Sequence, residues 1–239
     1  EQEERMREVA AWMFINQESV YGVRPWIVTT EENLWFSRSK EGKTVYVYIT
    51  GMPDWTRGSR KEFVLHSVKA TANTKASVLG QNDLVLEYSN QVPDTRFEQT
   101  AEGLKVSCVR AQRIYNNNKW PNPIVLKLEN VEPALDPPQI VTVSAGVVSG
   151  KVVMKGKLAS AGDNRQLKVG FLFRPYAGFV ENIYSKEWQK SSLNEISETG
   201  EYSIEIPDLE KNTEYEYKAI VIHPLITITG EIKRVKSSQ

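Results

Sequence analysis

Two histidines, one cysteine and a scatter of carboxylates are the side chains through which this sequence could do acid–base, nucleophilic or metal chemistry. Their spacing supports none of it. His66 and His223 stand far apart, and neither belongs to an HxH or HExxH pattern, so a zinc site or a catalytic triad has no local frame. Cys108 is single and cannot form an internal disulfide; no helix N-terminus or cationic partner beside it lowers its thiol pKa, and its alternation with Val106 and Arg110 fits a strand. The glycines fall in turns without a GxGxxG or P-loop pattern, which removes the nucleotide signature. No catalytic, cofactor-binding or metal-ligating residue is assigned, and no cofactor is expected.

Aromatic residues are the remaining candidates. Tyr176, Phe179, Tyr184 and Trp188 crowd the segment RPYAGFVENIYSKEW. Sugar rings present C–H faces that stack on exposed indole and phenol rings while polar rims take the hydroxyls, so the cluster could serve as a carbohydrate platform. The bland alternative is that these rings cap the open end of a small sandwich.

The elements that would position these residues follow from periodicity. Met6, Val9, Ala10 and Met13 recur at helical spacing, opposite a face carrying Glu3, Glu4, Arg7 and Glu8. A helix this short is marginal alone in water, so the stripe needs a packing partner. From about Leu34 the period becomes two: Val45, Val47 and Ile49 alternate with Tyr46, Tyr48 and Thr50, and similar runs hold Phe63, Leu65, Leu104, Val106, Ile124, Leu126 and Leu128. Turn signals such as Glu41-Gly42, Arg57-Gly58 and Glu102-Gly103 separate them. Pro133, Pro137 and Pro138 interrupt the pattern, because proline lacks an amide donor and restrains its predecessor. Beyond them a second series of alternating runs extends to Lys233. The predicted class is mainly β: two antiparallel β-sandwich domains in tandem after one short helix. The predicted boundaries are 1–26 for helix and linker, 27–132 for the first sandwich, 133–139 for a proline-rich linker and 140–239 for the second sandwich. A barrel of eight βα units would need about eight helices, and the sequence offers one.

Composition narrows the partners. The 239 residues fit two domains, and 40% hydrophobic with 25% charged residues is ordinary for a globular protein. Thirty basic side chains balance thirty acidic ones with no local basic cluster, so nucleic acid is not an expected partner. No apolar run approaches the roughly 20 residues of a membrane span. The start EQEERMREVA has neither an initiator Met nor a signal-like core, which implies a processed or cut terminus.

The run Trp12 to Trp26, WMFINQESVYGVRPW, resembles the segment that closes the catalytic barrel of bacterial α-L-fucosidases, of glycoside hydrolase family 29 type. Asn16, Glu18, Val20, Tyr21, Gly22, Arg24, Pro25 and Trp26 stand at matching places, while Gln17 and Val23 replace the usual Gly and Thr. The resemblance continues through Leu34 to Trp55, Lys75 to Gln81 and Ala101 to Leu128, and covers roughly the first 132 residues. It implies a non-catalytic C-terminal β-sandwich of a retaining glycosidase whose two catalytic carboxyl groups lie upstream, in a barrel that this sequence lacks. Glu18 is the nearest acid to that barrel, and its expected role is to fix the last helical turn through backbone amides. The resemblance further implies a barrel interface for Trp26, Trp35 and Trp55, a fucosylated glycan as a possible contact, and a periplasmic or extracellular setting. By itself this chain is expected to be inactive.

In the second sandwich, Leu209, Thr213 and Tyr215 within DLEKNTEYEYKAIVI resemble a fibronectin type III or immunoglobulin-like pattern in which a corner tyrosine bonds back to the preceding turn. The tryptophan expected in an early strand is absent, and Met154 lies nearby. A carbohydrate-binding module and a structural spacer or subunit-contact domain are the rival roles for this half.

Overall fold

The computed structural model describes residues 1–52, 54–56, 58–81, 93–110, 123–163, 166–178 and 186–237. It is mainly β, and it divides into two compact units, Glu1–Ala134 and Leu135–Gln239. The division falls within the proline-bearing segment. The helix and the first sandwich belong to one unit, and a strand runs across the expected 26/27 boundary.

The first unit opens with α1 (Gln2–Val20), which ends where Tyr21 turns extended and Gly22 takes φ 72°, a left-handed conformation that glycine accepts without steric cost. Among the described residues eight strands follow: β1 (Val23–Glu31), β2 (Leu34–Ser39), β3 (Thr44–Ile49), β4 (Arg60–Leu65), β5 (Val68–Val78), β6 (Arg96–Gln99), β7 (Leu104–Val109) and β8 (Ile124–Pro133). They form two antiparallel sheets, β1-β2-β3-β8-β5 and β4-β7-β6. Pro25 sits on the edge strand β1, where a missing N–H removes no interior ladder bond. Period-two alternation sends Phe36, Val45, Val47, Ile49, Leu126 and Leu128 from the larger sheet into one core with Phe63, Leu65, Leu104, Val106 and Cys108 from the smaller.

A buried carboxylate ties this unit at the point where the chain crosses between its sheets. Glu31, at the end of β1, accepts backbone N–H bonds from His66 at 2.7 Å and Ser67 at 2.9 Å, the two residues that join β4 to β5. Trp26 Nε1 donates to Ser67 Oγ at 3.2 Å on the same turn. Charge-assisted bonds of this kind are stronger than neutral ones, and removing the acceptor leaves two amides without partners.

The second unit holds β9 (Gln139–Val148), β10 (Lys151–Ser160), β11 (Leu167–Pro175), β12 (Gln189–Lys190), β13 (Asn194–Ile196), β14 (Gly200–Ile206), β15 (Glu214–His223), β16 (Ile226–Thr229) and β17 (Lys233–Lys236). One antiparallel sheet runs β14-β10-β9, and the other runs β12-β11-β15-β16, with β13 beside β11 and β17 beside β15. Val152, Met154, Leu158, Ile204 and Ile206 meet Leu167, Val169, Phe171, Phe173, Tyr217, Ala219 and Val221 in its core. Met154, fully buried, fills core volume near where the resemblance called for a tryptophan. The Tyr215 hydroxyl accepts the Glu210 N–H at 3.0 Å, and Ser237 braces the same loop by bonding Glu210 O at 2.6 Å and accepting from Thr213 N–H at 2.9 Å.

Two stability outcomes are expected, each read on the unfolding transition of the unit concerned. Glu31→Ala should cost the first unit about 2 kcal/mol in urea unfolding, because the buried Ser67 amide and the part-buried His66 amide lose their charged acceptor. Tyr215→Phe should cost the second about 1 kcal/mol, the net worth of one hydrogen bond; a neutral result would mean the corner bond carries no stability.

Candidate functional site

α1 lies on the outer face of the five-stranded sheet, and the face it buries is not the one that its apolar spacing suggests. Trp12 packs with the buried Tyr46, Leu79 and Val125, and its Nε1 donates to Pro123 O at 2.8 Å. Asn16 and Ser19 are fully buried at the same seam, and the Tyr48 hydroxyl donates to Ser19 O. A Cβ on Gly80 would stand 2.3 Å from Ile15 Cγ2, so glycine there lets the helix come down onto the end of β5. Trp12, Ile15, Asn16 and Ser19 follow helical spacing and define one side. The stripe of Met6, Val9, Ala10 and Met13 flanks that side, with Met13 half-buried one turn before Asn16 and the other three in the N-terminal half of the helix. Met6 is 69% exposed, Val9 51% and neighbouring Phe14 80%, so the first sandwich is not what this stripe packs on.

Glu18 corrects a smaller expectation. Its carboxylate reaches across the seam to Lys127 Nζ at 3.2 Å and does not bond the backbone of the last turn. Tyr46 beneath it has its phenol pushed up to about 12, by burial first and then by the Glu18 charge.

The three tryptophans assigned to an interface separate in the structure. Trp26 is 4% exposed and Trp55 3%, both within the first sandwich core. Trp55 meets Phe63 edge-on with ring centroids 5.4 Å apart and donates Nε1 to Ser59 O at 3.0 Å. These two rings are therefore core residues and cannot form an exposed patch. Burial of each indole is made cheap by a partner for its N–H, a feature that residue type alone does not reveal. Trp35, 52% exposed, points away from that core because β2 alternates Leu34 and Phe36 inward.

Of the aromatic cluster in the second unit, Phe179 and Tyr184 lie outside the described residues. Tyr176 and Trp188 are half-buried, and each ring is stacked on cations. Arg174 Cζ lies 4.4 Å and Lys218 Nζ 4.6 Å from the Trp188 ring centre, and Arg234 Cζ lies 3.5 Å from that of Tyr176. This cationic setting was not read from the sequence, because its members come from three separate strands.

The cysteine and the two histidines each have a place in the fold. Cys108 is fully buried on β7, and burial pushes its thiol up to about 12. His66 Nδ1 bonds Glu102 O at 2.7 Å. His223 Nδ1 accepts the Leu225 N–H at 3.1 Å at the β15–β16 turn, and burial holds its pKa below the ordinary value against the opposing pull of Asp163, 3.8 Å away. Among the described residues, no group of three or more His, Cys, Asp or Glu could hold a metal ion, and no helix is long and apolar enough to cross a membrane.

Comparison with known proteins bears on part of the chain. No family model matches it. A putative α-L-fucosidase of Caenorhabditis elegans is 35% identical over 101 residues, which is 35% of this chain and 21% of that protein. Tissue α-L-fucosidase of Bos taurus is 36% identical over 84 residues, 34% of this chain and 16% of that protein. The α-L-fucosidase of Dictyostelium discoideum is 35% identical over 52 residues, 21% of this chain and 11% of that protein. The chain thus contains a region related to α-L-fucosidases and spans about a fifth or less of the length of these relatives. Among solved structures, the short sensor domain of the anti-sigma factor RsgI4 from Pseudobacteroides cellulosolvens is similar at TM-score 0.32 and 15% identity, covering 43% of this chain and 95% of that one. The FN1–FN3 domains of chicken CNTN1 give TM-score 0.29 and 10% identity, covering 91% and 65%. Both scores are too low to bear on function or fold.

A pH dependence follows from His223. Its folded pKa is depressed, so below its ordinary value near 6.5 the unfolded chain takes up a proton that the folded chain refuses. The stability it contributes is complete above that value and declines as the pH falls. Thermal unfolding should therefore show a midpoint that drops between about pH 7 and pH 5.5, with the drop reduced in His223→Gln.

Proposed function

We propose that this chain is the non-catalytic C-terminal region of an α-L-fucosidase of glycoside hydrolase family 29 type, in which the first sandwich and α1 brace a catalytic barrel. The partial likeness to three α-L-fucosidases supports the reading. A retaining glycosidase needs two carboxyl groups about 5 to 5.5 Å apart in a concave site. Glu18, the acid nearest to the barrel in the resemblance, is engaged by Lys127 on the flat outer face of a sheet.

The observation that carries the proposal is the partial seating of α1. Its C-terminal half is held on the sheet through Trp12, Ile15, Asn16 and Ser19, while Met6, Val9 and Phe14 stay exposed. Exposed large apolar side chains gathered on one helix mark a surface for another domain to cover. In the proposed enzyme that cover is the barrel, which hydrolyses terminal α-L-fucosyl linkages with retention. The setting of such an enzyme is periplasmic or extracellular.

An aryl α-L-fucoside assay tests this directly. This chain should show no hydrolysis, while a version extended upstream through the whole reading frame should release the aryl group; hydrolysis by this chain alone would overturn the proposal. The stripe gives a second test. Phe14→Asp should change the unfolding of this chain by less than about 0.5 kcal/mol, as for an exposed site, yet cost the extended protein about 2 kcal/mol, the worth of a buried large apolar side chain.

A further inference from the structure

Two arginines of the first unit face each other without an acid between them. Arg24 on β1 pairs with Arg38 on β2, so like charges stand directly opposite across an antiparallel ladder. Such a pair is ordinarily unfavourable, because the Cα atoms of opposed residues lie only about 4.5 to 5.5 Å apart. Among the described residues no carboxylate lies within ion-pair distance of either guanidinium. Both residues keep the parity of Trp26 and Phe36, which sets them at the rim of the sandwich core, on the edge strand of the five-stranded sheet and its neighbour.

The acids of this corner are engaged elsewhere. Glu18 and Glu129 lie with Lys127 on the other face of the sheet, at 3.2 and 3.9 Å. Glu41 stands in the turn between β2 and β3, where Lys40 and Lys43 on either side offset its charge. Arg38 is held in place before any ligand arrives. Its Nε donates to Pro25 O at 3.3 Å, and its Nη1 lies 2.9 Å from where a Cβ on Gly42 would stand, so the guanidinium occupies the space that glycine leaves open. Its Nη donors stay available, and Arg24 beside it is exposed. A group restrained in this way loses little freedom on binding.

We propose that Arg24 and Arg38 form a fork for one carboxylate, presented by a side chain of the domain that precedes α1. The source of the carboxylate rests on the fucosidase reading; the fork itself does not. Arg24 follows Val20, the last residue of α1, by four positions, so a domain that covers the helix meets the open edge of β1 next. A carboxylate offers about four acceptor sites on two oxygens, which suits the planar N–H groups of two guanidiniums and neutralises the charge that opposes them.

Acetate titrated into this chain against chloride at constant ionic strength tests the fork. The Arg38 Nε–H resonance should shift saturably, and the shift should be lost in Arg24→Gln; absence of a saturable shift would overturn the fork. Unfolding then tests the source. In this chain Arg24→Gln removes a like-charge contact and should raise the unfolding midpoint of the first unit by about 1 °C. In the protein extended upstream the same change should lower that midpoint by about 2 °C, with Arg24→Lys, which keeps the charge without the fork, falling between. A rise in both proteins would overturn the upstream carboxylate. Phe14→Asp tests the cover over α1 separately: if it costs the extended protein nothing while acetate still binds, the fucosidase reading fails and the fork stands.

Discussion

The seating of α1 on the five-stranded sheet is the contact on which the functional reading rests. It makes β3 and β8 two-sided: Val45, Val47, Leu126 and Leu128 enter the sandwich core, while Tyr46 and Val125 are buried beneath the helix. An isolated helix of 19 residues with mixed charge would be marginal in water, so its order has to come from this packing. The seam is partly polar, with Trp12, Tyr48, Ser19 and Lys127 supplying directed bonds. Directed bonds fix the rotation of the helix about its axis, which an apolar seam alone would leave loose. Met6, Val9 and Phe14 stay exposed on the helix so held.

Sequence periodicity made the strands legible wherever one face is apolar. β3 reads Thr-Val-Tyr-Val-Tyr-Ile, and its inward and outward residues are those of the simple alternation. The helix was legible too, but its partner was not. Its strongest apolar stripe marked residues that are mostly left open, because the seam uses Asn16 and Ser19, which no hydropathy pattern assigns to burial. The tryptophans show the opposite limit. The resemblance implies a barrel interface for Trp26 and Trp55, yet hydrogen bonds to Ser67, brought close by the fold, and to the nearby Ser59 satisfy their N–H groups inside the sandwich core. The tie made by Glu31 likewise needed knowledge that β1 ends beside the β4–β5 turn.

The two units place their polar investment differently. In the first, buried polar groups serve the fold, as Glu31 serves the turn at His66 and Ser67. In the second, the loop around Glu210 is held by Tyr215 and Ser237, while the outer face of the larger sheet gathers charge from residues 174 to 236. No stretch of sequence is basic, since each strand donates one or two cations and the ladder register assembles them. A composition balanced between acids and bases gave no sign of this mixed row.

Hydrogen–deuterium exchange along α1 tests most directly the claim that this helix is shared between the sandwich and an upstream domain. In this chain the half from Trp12 to Val20 should be protected, and the half from Gln2 to Ala11, with only its exposed stripe, should exchange quickly. In the protein extended upstream, protection should spread to Gln2–Ala11. Identical exchange of that half in both proteins would contradict the account, for it would leave the stripe without the domain it is held out to meet.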